Sequence, residues 1–112
     1  MHNKHKVEAV SYMTVQEHVL ILLTSPATEY SWVIPAGAQC ITFQNREGDT
    51  DILYYFKSNT NGGGPGHDGK YFTLRQGNAK TFNANWNAGQ TLYFQSLTNS
   101  NRNVEIEFAT AP

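Results

Sequence analysis

A chain of 112 residues can bury one hydrophobic core but not two, so the sequence predicts a single domain of ordinary size. The net charge is −1 and only 15% of the residues are charged, so no global field draws the protein onto nucleic acid or an anionic membrane. The single cysteine, Cys40, excludes an internal disulfide and with it a disulfide-stapled secreted scaffold.

After Met1, the N-terminal segment continues with five polar or basic residues, none of them suited to a hydrophobic core. Residues 1–16 are therefore interpreted as an arm or extended segment, in which Lys4, His5 and Lys6 are candidate assembly contacts. Residues 17–112 are predicted to form one β-sandwich domain. No leader peptide is evident, and no apolar run approaches the roughly 20 residues that a membrane-spanning helix needs, so we expect synthesis in the cytoplasm and no membrane partner.

The domain itself is a succession of short runs in which apolar and polar residues alternate, each run closed by Gly, Asn, Asp or Pro. A period of two is typical of a half-buried strand, and residues 104–108 (VEIEF) are the clearest case. Residues 18–24 are a more continuous apolar run and indicate a buried strand, with a short helical turn over residues 15–20 as the alternative. The predicted strands cover residues 18–24, 28–34, 38–44, 51–57, 70–75, 80–84, 90–97 and 103–109.

About eight such strands with no helix between them predict an all-β antiparallel sandwich, jelly-roll-like or of a related Greek-key type. The apolar positions expected to face inward are Ile41, Phe43, Leu53, Phe72, Leu74, Leu92, Phe94, Ile106 and Phe108. Cys40 lies within a strand pattern and is expected to be a small buried hydrophobe.

The longest break between strands is residues 58–69, which contain the run NGGGPGHDG. So much glycine disfavours regular structure, and the segment is predicted to be a flexible loop that protrudes from the sandwich. Residues 64–70 match the first seven positions of a phosphate-binding P-loop, but Tyr71 stands where a Ser or Thr hydroxyl must reach the metal. The strand–loop–strand context is also wrong, so nucleotide binding is not expected.

No complete catalytic or metal-ligating set is visible in the sequence. Glu47, Asp49 and Asp51 could offer oxygens to Ca²⁺, but a solvated acidic turn explains them with fewer assumptions. No two histidines have ligand spacing within one strand, and there is no nucleophile elbow. The histidines are His2, His5, His18 and His67. We therefore expect no enzyme activity, no metal and no cofactor.

The aromatic residues leave one alternative function open. Trp32 and Trp86 could stack on sugar rings, and Trp86 lies in a predicted turn between Asn85 and Asn87, where burial in a core is least assured. The alternative is thus a carbohydrate-binding β-sandwich module, or a tail- or fibre-associated adhesin domain, with a polysaccharide as partner. Rings that fill the core and subunit interfaces explain the same residues without a sugar.

Six segments, spread over roughly residues 28–109, carry a resemblance to a known class of protein. They are residues 32–37 (WVIPAG), 41–46 (ITFQNR), 52–56 (ILYYF), 71–74 (YFTL), 92–96 (LYFQS) and 104–106 (VEI). In this order they resemble small β-sandwich structural proteins of tailed bacteriophages, in particular capsid decoration, or cement, proteins.

The resemblance implies a non-enzymatic virion protein that is assembled in the host cytoplasm. Such a protein binds the major capsid protein on the outer head surface, bridges coat subunits and resists the pressure of the packaged genome. It also implies a homo-oligomer that grips the coat through an arm or a loop, which residues 1–6 could supply.

Overall fold

The computed structural model describes residues 15–59, 65–83 and 90–110, with only the backbone of Val15. These residues form eight strands and no helix. They accordingly include no helix that could cross a membrane. The strands are β1 (Val15–Leu23), β2 (Tyr30–Val33), β3 (Gln39–Asn45), β4 (Ile52–Tyr55), β5 (Phe72–Leu74), β6 (Ala79–Phe82), β7 (Thr91–Ser96) and β8 (Arg102–Thr110).

The strands form two four-stranded antiparallel sheets, with order β1-β8-β3-β6 in the first and β2-β7-β4-β5 in the second. Only β4 and β5 are joined within one sheet; every other connection crosses from one sheet to the other. This interleaving of eight antiparallel strands is a jelly roll. The predicted eight-stranded jelly-roll sandwich is confirmed. The alternative of a short helical turn over residues 15–20 is wrong, because those residues pair with β8 as part of strand β1.

The core lies between the sheets and follows the alternation in the sequence. In β8, Val104, Ile106 and Phe108 are buried, whereas Glu107 is exposed on the other face. Phe43 of β3 is at the centre: its ring centroid lies 4.8 Å from that of Tyr54 and 5.5 Å from that of Phe94. Such tilted ring pairs add about 0.5–1.5 kcal/mol each beyond the area that they bury.

Two of the nine predicted core positions differ from expectation. Phe72 is 65% exposed, because it begins the three-residue strand β5, which is an edge of the second sheet. Its ring stacks on that of Tyr54 at 5.6 Å and is otherwise open to solvent. Leu53 is buried, but on the face of β4 opposite to Ile52 and Tyr54, which belong to the core. Something other than the first sheet therefore covers Leu53.

A buried polar cluster closes the end of the sandwich at which β3 and β5 end. The amide nitrogen of Asn45 donates to the carbonyl oxygens of Thr50 (2.9 Å) and Leu74 (3.1 Å), and its oxygen accepts from the backbone N–H of Glu47 (3.0 Å). Ser96, also fully buried, donates to the carbonyl oxygen of Asn99 at 2.7 Å. These bonds reach backbone groups of the β3–β4 connection, of the end of β5 and of the loop after β7, so buried side chains supply hydrogen-bond partners to the backbone at this end.

An ion-paired arginine ties the same loops together at the surface. Arg102 contacts the Asp49 carboxylate through two nitrogens, at 3.0 and 2.5 Å, and donates to the carbonyl oxygen of Ser100 at 2.6 Å. Glu47 lies 3.8 Å from the same guanidinium and accepts from the backbone N–H of Asn103 at 2.9 Å. Hydrogen bonding to Arg102 lowers the pKa of Asp49 from its usual 3.8. The acidic turn is thus engaged within the protein itself.

The described sandwich begins with Val15 rather than with residue 17, where the sequence placed the domain boundary. Residues 1–14 of the predicted arm lie outside the described residues. The division into an arm and a sandwich therefore stays a prediction.

Candidate functional site

Four of the five site residues suggested by the sequence lie outside the described residues: Lys4, His5, Lys6 and Trp86. Their roles stay predictions. The fifth, Trp32 on β2, is half-buried and packs against the core, with its ring centroid 5.4 Å from that of Phe108. A ring turned inward in this way does not form a flat platform on the surface, which disfavours sugar stacking at Trp32.

Strand β1 is an edge of the first sheet, because it pairs with β8 on one side and with no other described strand. Within it, Leu23 is fully buried, and Val19 and Ile21 are partly buried against the core. The alternate residues face outward: Leu20 is 67% exposed and Leu22 is 50% exposed. The outward side chains of Leu20 and Leu22, together with the open backbone edge of β1, are called the β1 surface below.

The expectation of a buried strand over residues 18–24 is therefore wrong for one of its two faces. Continuous apolar runs are typical of strands that are covered on both faces. Among the described residues, only the second sheet covers β1, and it covers one face of the strand. Edge strands in soluble proteins are usually short, or protected by lysine, proline or a bulge, and residues 19–23 (VLILL) have none of these features.

The connection between β4 and β5 turns back over the outer face of the second sheet. Glu29, just before β2, accepts hydrogen bonds from the Ser58 hydroxyl (2.6 Å) and from the backbone N–H of Asn59 (2.8 Å). Gly66 is buried. The prediction that residues 58–69 protrude from the sandwich is wrong for these described parts of the loop.

Tyr55 lies on the face of the second sheet beneath the β4–β5 connection. Its hydroxyl donates to Gln95 Oε1 at 3.2 Å, and its ring stacks on that of Tyr93 with the centroids 5.8 Å apart. Burial, reinforced by the nearby Glu29 carboxylate, raises the pKa of the Tyr55 hydroxyl far above its usual value of 10.0. The hydroxyl therefore stays protonated and serves as a hydrogen-bond donor beneath the loop. Leu53 and Gln95 are also buried on this face of the second sheet.

A groove of about 640 Å³ opens between the end of β4 and the start of β5, and we call it the aromatic groove. Its outermost rings are Tyr71, 45% exposed, and Phe72, 65% exposed. Its cationic side chains are Lys57 and Lys70. The lining consists of Tyr55, Phe56, Lys57, His67, Gly69, Lys70, Tyr71 and Phe72.

Two other features singled out in the sequence, Cys40 and the P-loop-like run, have structural explanations. Cys40 is exposed, not buried as expected. It lies in a β-bulge of β3, between the pairs Gln39–Ala109 and Thr42–Glu107, and its φ of 51° turns its side chain away from the core. Residues 65–70 of the P-loop-like run end in an isolated bridge between His67 and Lys70, without a following helix.

Among the described ranges, no group of three or more His, Cys, Asp or Glu side chains is arranged to hold a metal ion. Asp49 and Glu47, which the sequence offered as possible calcium ligands, contact Arg102 instead. A cation at this turn would have to compete with the guanidinium, which favours the solvated acidic turn.

Sequence reasoning missed both surfaces described above. The apolar run of β1 was visible, but its exposure depends on β1 being an edge strand, which only the sheet order reveals. The aromatic residues of the groove are visible in the sequence too, but the alternation of Phe72 with Leu74 predicts that the Phe72 ring faces the core. Nothing in the local pattern distinguishes a ring inside the sandwich from one at its open end.

No protein-family model matches the chain, and no curated protein matches it. A solved structure from the endospore appendages of Bacillus, described as a novel family of disulfide-linked pili, aligns with 88% of this chain and 90% of its own. The two share 16% sequence identity, with a TM-score of 0.44. A likeness this loose does not decide function, which has to be argued from the surfaces of this chain.

Proposed function

We propose that the protein is a non-enzymatic structural subunit that works by packing its β1 surface against another protein subunit of a larger particle. The observation that carries this proposal is the outward pair Leu20 and Leu22 on an unprotected edge strand. Covering this surface would bury the leucines and pair the N–H and C=O groups of β1 that bond no other described strand.

The energetics favour such a contact. Full burial of a leucine side chain is worth about 1.5–3 kcal/mol, and strand addition supplies main-chain hydrogen bonds as well. The simplest occupant is a second copy of this chain, with the two β1 strands antiparallel about a two-fold axis. Pairing centred on Ile21 would place Leu20 of one copy opposite Leu22 of the other, so that apolar side chains meet along the new seam.

The finer proposal takes the particle to be a phage head. It is supported by the resemblance of residues 28–109 to capsid decoration proteins, and the jelly roll is compatible with it. The major capsid protein would then be the partner, the virion the location, and the host cytoplasm the place of assembly. Repeated attachment over a symmetric shell gains by avidity, so each contact between the oligomer and the coat can be weak.

Sedimentation-velocity analysis of the full chain tests the β1 surface directly. We expect a concentration-dependent dimer, and we expect the double substitution Leu20→Ser and Leu22→Ser to weaken it on the order of 100-fold. The matched control is Val33→Ser, which changes an apolar side chain of similar exposure, 61%, on the edge strand β2. A chain that stays monomeric at millimolar concentration, or a control that dissociates the dimer equally, would contradict the role of β1.

Mass spectrometry of purified virions, with a copy count per particle, tests the finer proposal. Hundreds of copies support a cement role, and a few copies point to the tail or a fibre. Absence from virions, with an intact β1 dimer in solution, would overturn the phage proposal and leave the general structural role standing. Deletion of residues 1–6 should weaken attachment to capsids without unfolding the sandwich.

A further inference from the structure

The aromatic groove is separate from the β1 surface, since it lies on the second sheet and its connecting loop. Its volume of about 640 Å³ is within the range of small-molecule sites, roughly 300–1,000 Å³. Tyr71 presents its ring to solvent, and Phe72 presents the part of its ring that does not stack on Tyr54. Two neighbouring residues thus offer exposed ring surface at one wall.

The groove is also cationic. Lys57 and Lys70 both line it, and neither forms an ion pair with another described residue. Asp68 lies nearby, but its carboxylate is 3.3 Å from His67 Nε2. Glu29 is not one of the lining residues, and its carboxylate accepts hydrogen bonds from Ser58 and Asn59. The lysine charges therefore face the groove without a matching carboxylate at hydrogen-bonding distance.

We propose that the aromatic groove binds an anionic glycan, with Tyr71 and Phe72 stacking on a sugar ring and Lys57 and Lys70 pairing with its carboxylate or sulfate groups. The faces of aromatic rings are electronegative and attract the polarised C–H groups of a pyranose. Ammonium groups supply the attraction for acidic substituents and can reach them from flexible stems. This function goes beyond that of a structural subunit and does not depend on it.

The edge strand beside the groove favours a sugar over an acidic peptide. A peptide that extends a sheet gains affinity from a ladder of main-chain hydrogen bonds. β5 has only three residues, Phe72–Leu74, and cannot offer such a ladder. This wall of the groove therefore offers aromatic rings and ammonium groups. The rings contact the faces of a sugar, and the ammonium groups contact its anionic substituents.

The test is titration of the full chain, followed by calorimetry and by NMR of backbone amides. The probes are hexagalacturonate, its neutral methyl ester and sulfated cellohexaose, with hexaglutamate as a peptide anion. We expect one or both anionic sugars to bind at least tenfold more tightly than the ester and than hexaglutamate, with amide shifts centred on residues 67–72. Binding of only one anionic sugar identifies the carboxylate or the sulfate as the preferred group.

Variants assign the residues. Tyr71→Ala and Lys70→Gln should each weaken binding at least fivefold. The matched control is Lys80→Gln, which removes a lysine that lies over the ring of Phe82, 5.3 Å from its centroid, outside the groove. Equal binding of the methyl ester, equal binding of hexaglutamate, full affinity in Tyr71→Ala, or no binding at 10 mM ligand would each overturn the proposal. None of these outcomes bears on the dimer through β1.

Discussion

The two ends of the jelly roll are built on opposite principles. At the end formed by the loops after β1, β3, β5 and β7, buried side-chain amides and hydroxyls bond the backbone of neighbouring loops. At the end formed by the loops after β2, β4 and β6, the aromatic rings of Tyr71 and Phe72 reach solvent. The β4–β5 connection folds back over a sheet face there and leaves the aromatic groove beside it.

The difference separates stability from recognition within one small domain. At the first end the polar groups bond one another, so few of them remain to bind a ligand. The second end exposes the rings of Tyr71 and Phe72, together with Lys57 and Lys70, which form no ion pair with another described residue, at the cost of exposing apolar surface. An end whose polar groups are hydrogen-bonded within the protein is suited to holding the sandwich together. An end that exposes rings and charges is suited to binding a ligand.

The largest expected effect is at Asn45. Asn45→Ala removes the donor to the carbonyl oxygens of Thr50 and Leu74 and leaves both buried oxygens without it. We expect a loss of about 3 kcal/mol in the free energy of unfolding, measured by urea denaturation. The control Asn83→Ala changes an exposed asparagine beside β6 and should cost little. A loss below about 1 kcal/mol for Asn45→Ala would show that the hydrogen bonds of Asn45 do not hold this end of the sandwich together.

The next largest effect is expected at Gly66, beneath the groove. Its φ is 76°, and a Cβ would overlap the carbonyl oxygen of Lys70. Gly66→Ala should destabilise the loop by about 2 kcal/mol and increase hydrogen exchange of the amides around Lys70. Gly69→Ala is the matched control: its φ is 71°, but a Cβ would meet nothing within 4 Å. Equal effects of the two changes would mean that backbone strain alone, and not close packing of the loop, is responsible.

The sequence predicted the strands better than the surfaces, for physical reasons. The alternation in residues 104–108 predicts that one face of the strand is buried, and in β8 the predicted apolar residues are the buried ones. Alternation does not report whether a strand is central or at an edge, so Leu20 and Leu22 were expected to be buried. The groove depends on a loop held to the sheet by Glu29, a contact between residues about 30 positions apart that no local pattern encodes.

Cys40 should show a smaller effect at the groove end, where β3 begins. Its φ of 51° lies in the left-handed region, which asparagine tolerates and β-branched residues do not. Cys40→Val should therefore cost about 1 kcal/mol in unfolding free energy, whereas Cys40→Asn should be neutral or slightly stabilising. The thiol of the folded wild-type protein should also react completely with Ellman's reagent. Protection of the thiol in the folded state would contradict the exposed bulge.

The smallest effect on stability is expected from the ion pair between Arg102 and Asp49, at the same end as Asn45, and this effect should depend on pH. Arg102 lowers the pKa of Asp49 from its usual 3.8, so the ionised carboxylate is favoured in the folded state. A lowered folded-state pKa adds stability that is present above the unfolded-state value and is lost as pH falls through the lower value.

The wild type should accordingly lose stability below about pH 4 more steeply than Arg102→Gln, which lacks the interaction at every pH. Urea midpoints between pH 2 and 7 measure the difference, and the two curves should converge at the acid end. Arg46→Gln controls for the loss of one positive charge, because Arg46 pairs with Glu105 at 3.1 Å and not with Asp49. Parallel curves for wild type and Arg102→Gln would show that the surface pair adds nothing. The buried hydrogen bonds, among them those of Asn45 and Ser96, would then hold this end together without the ion pair.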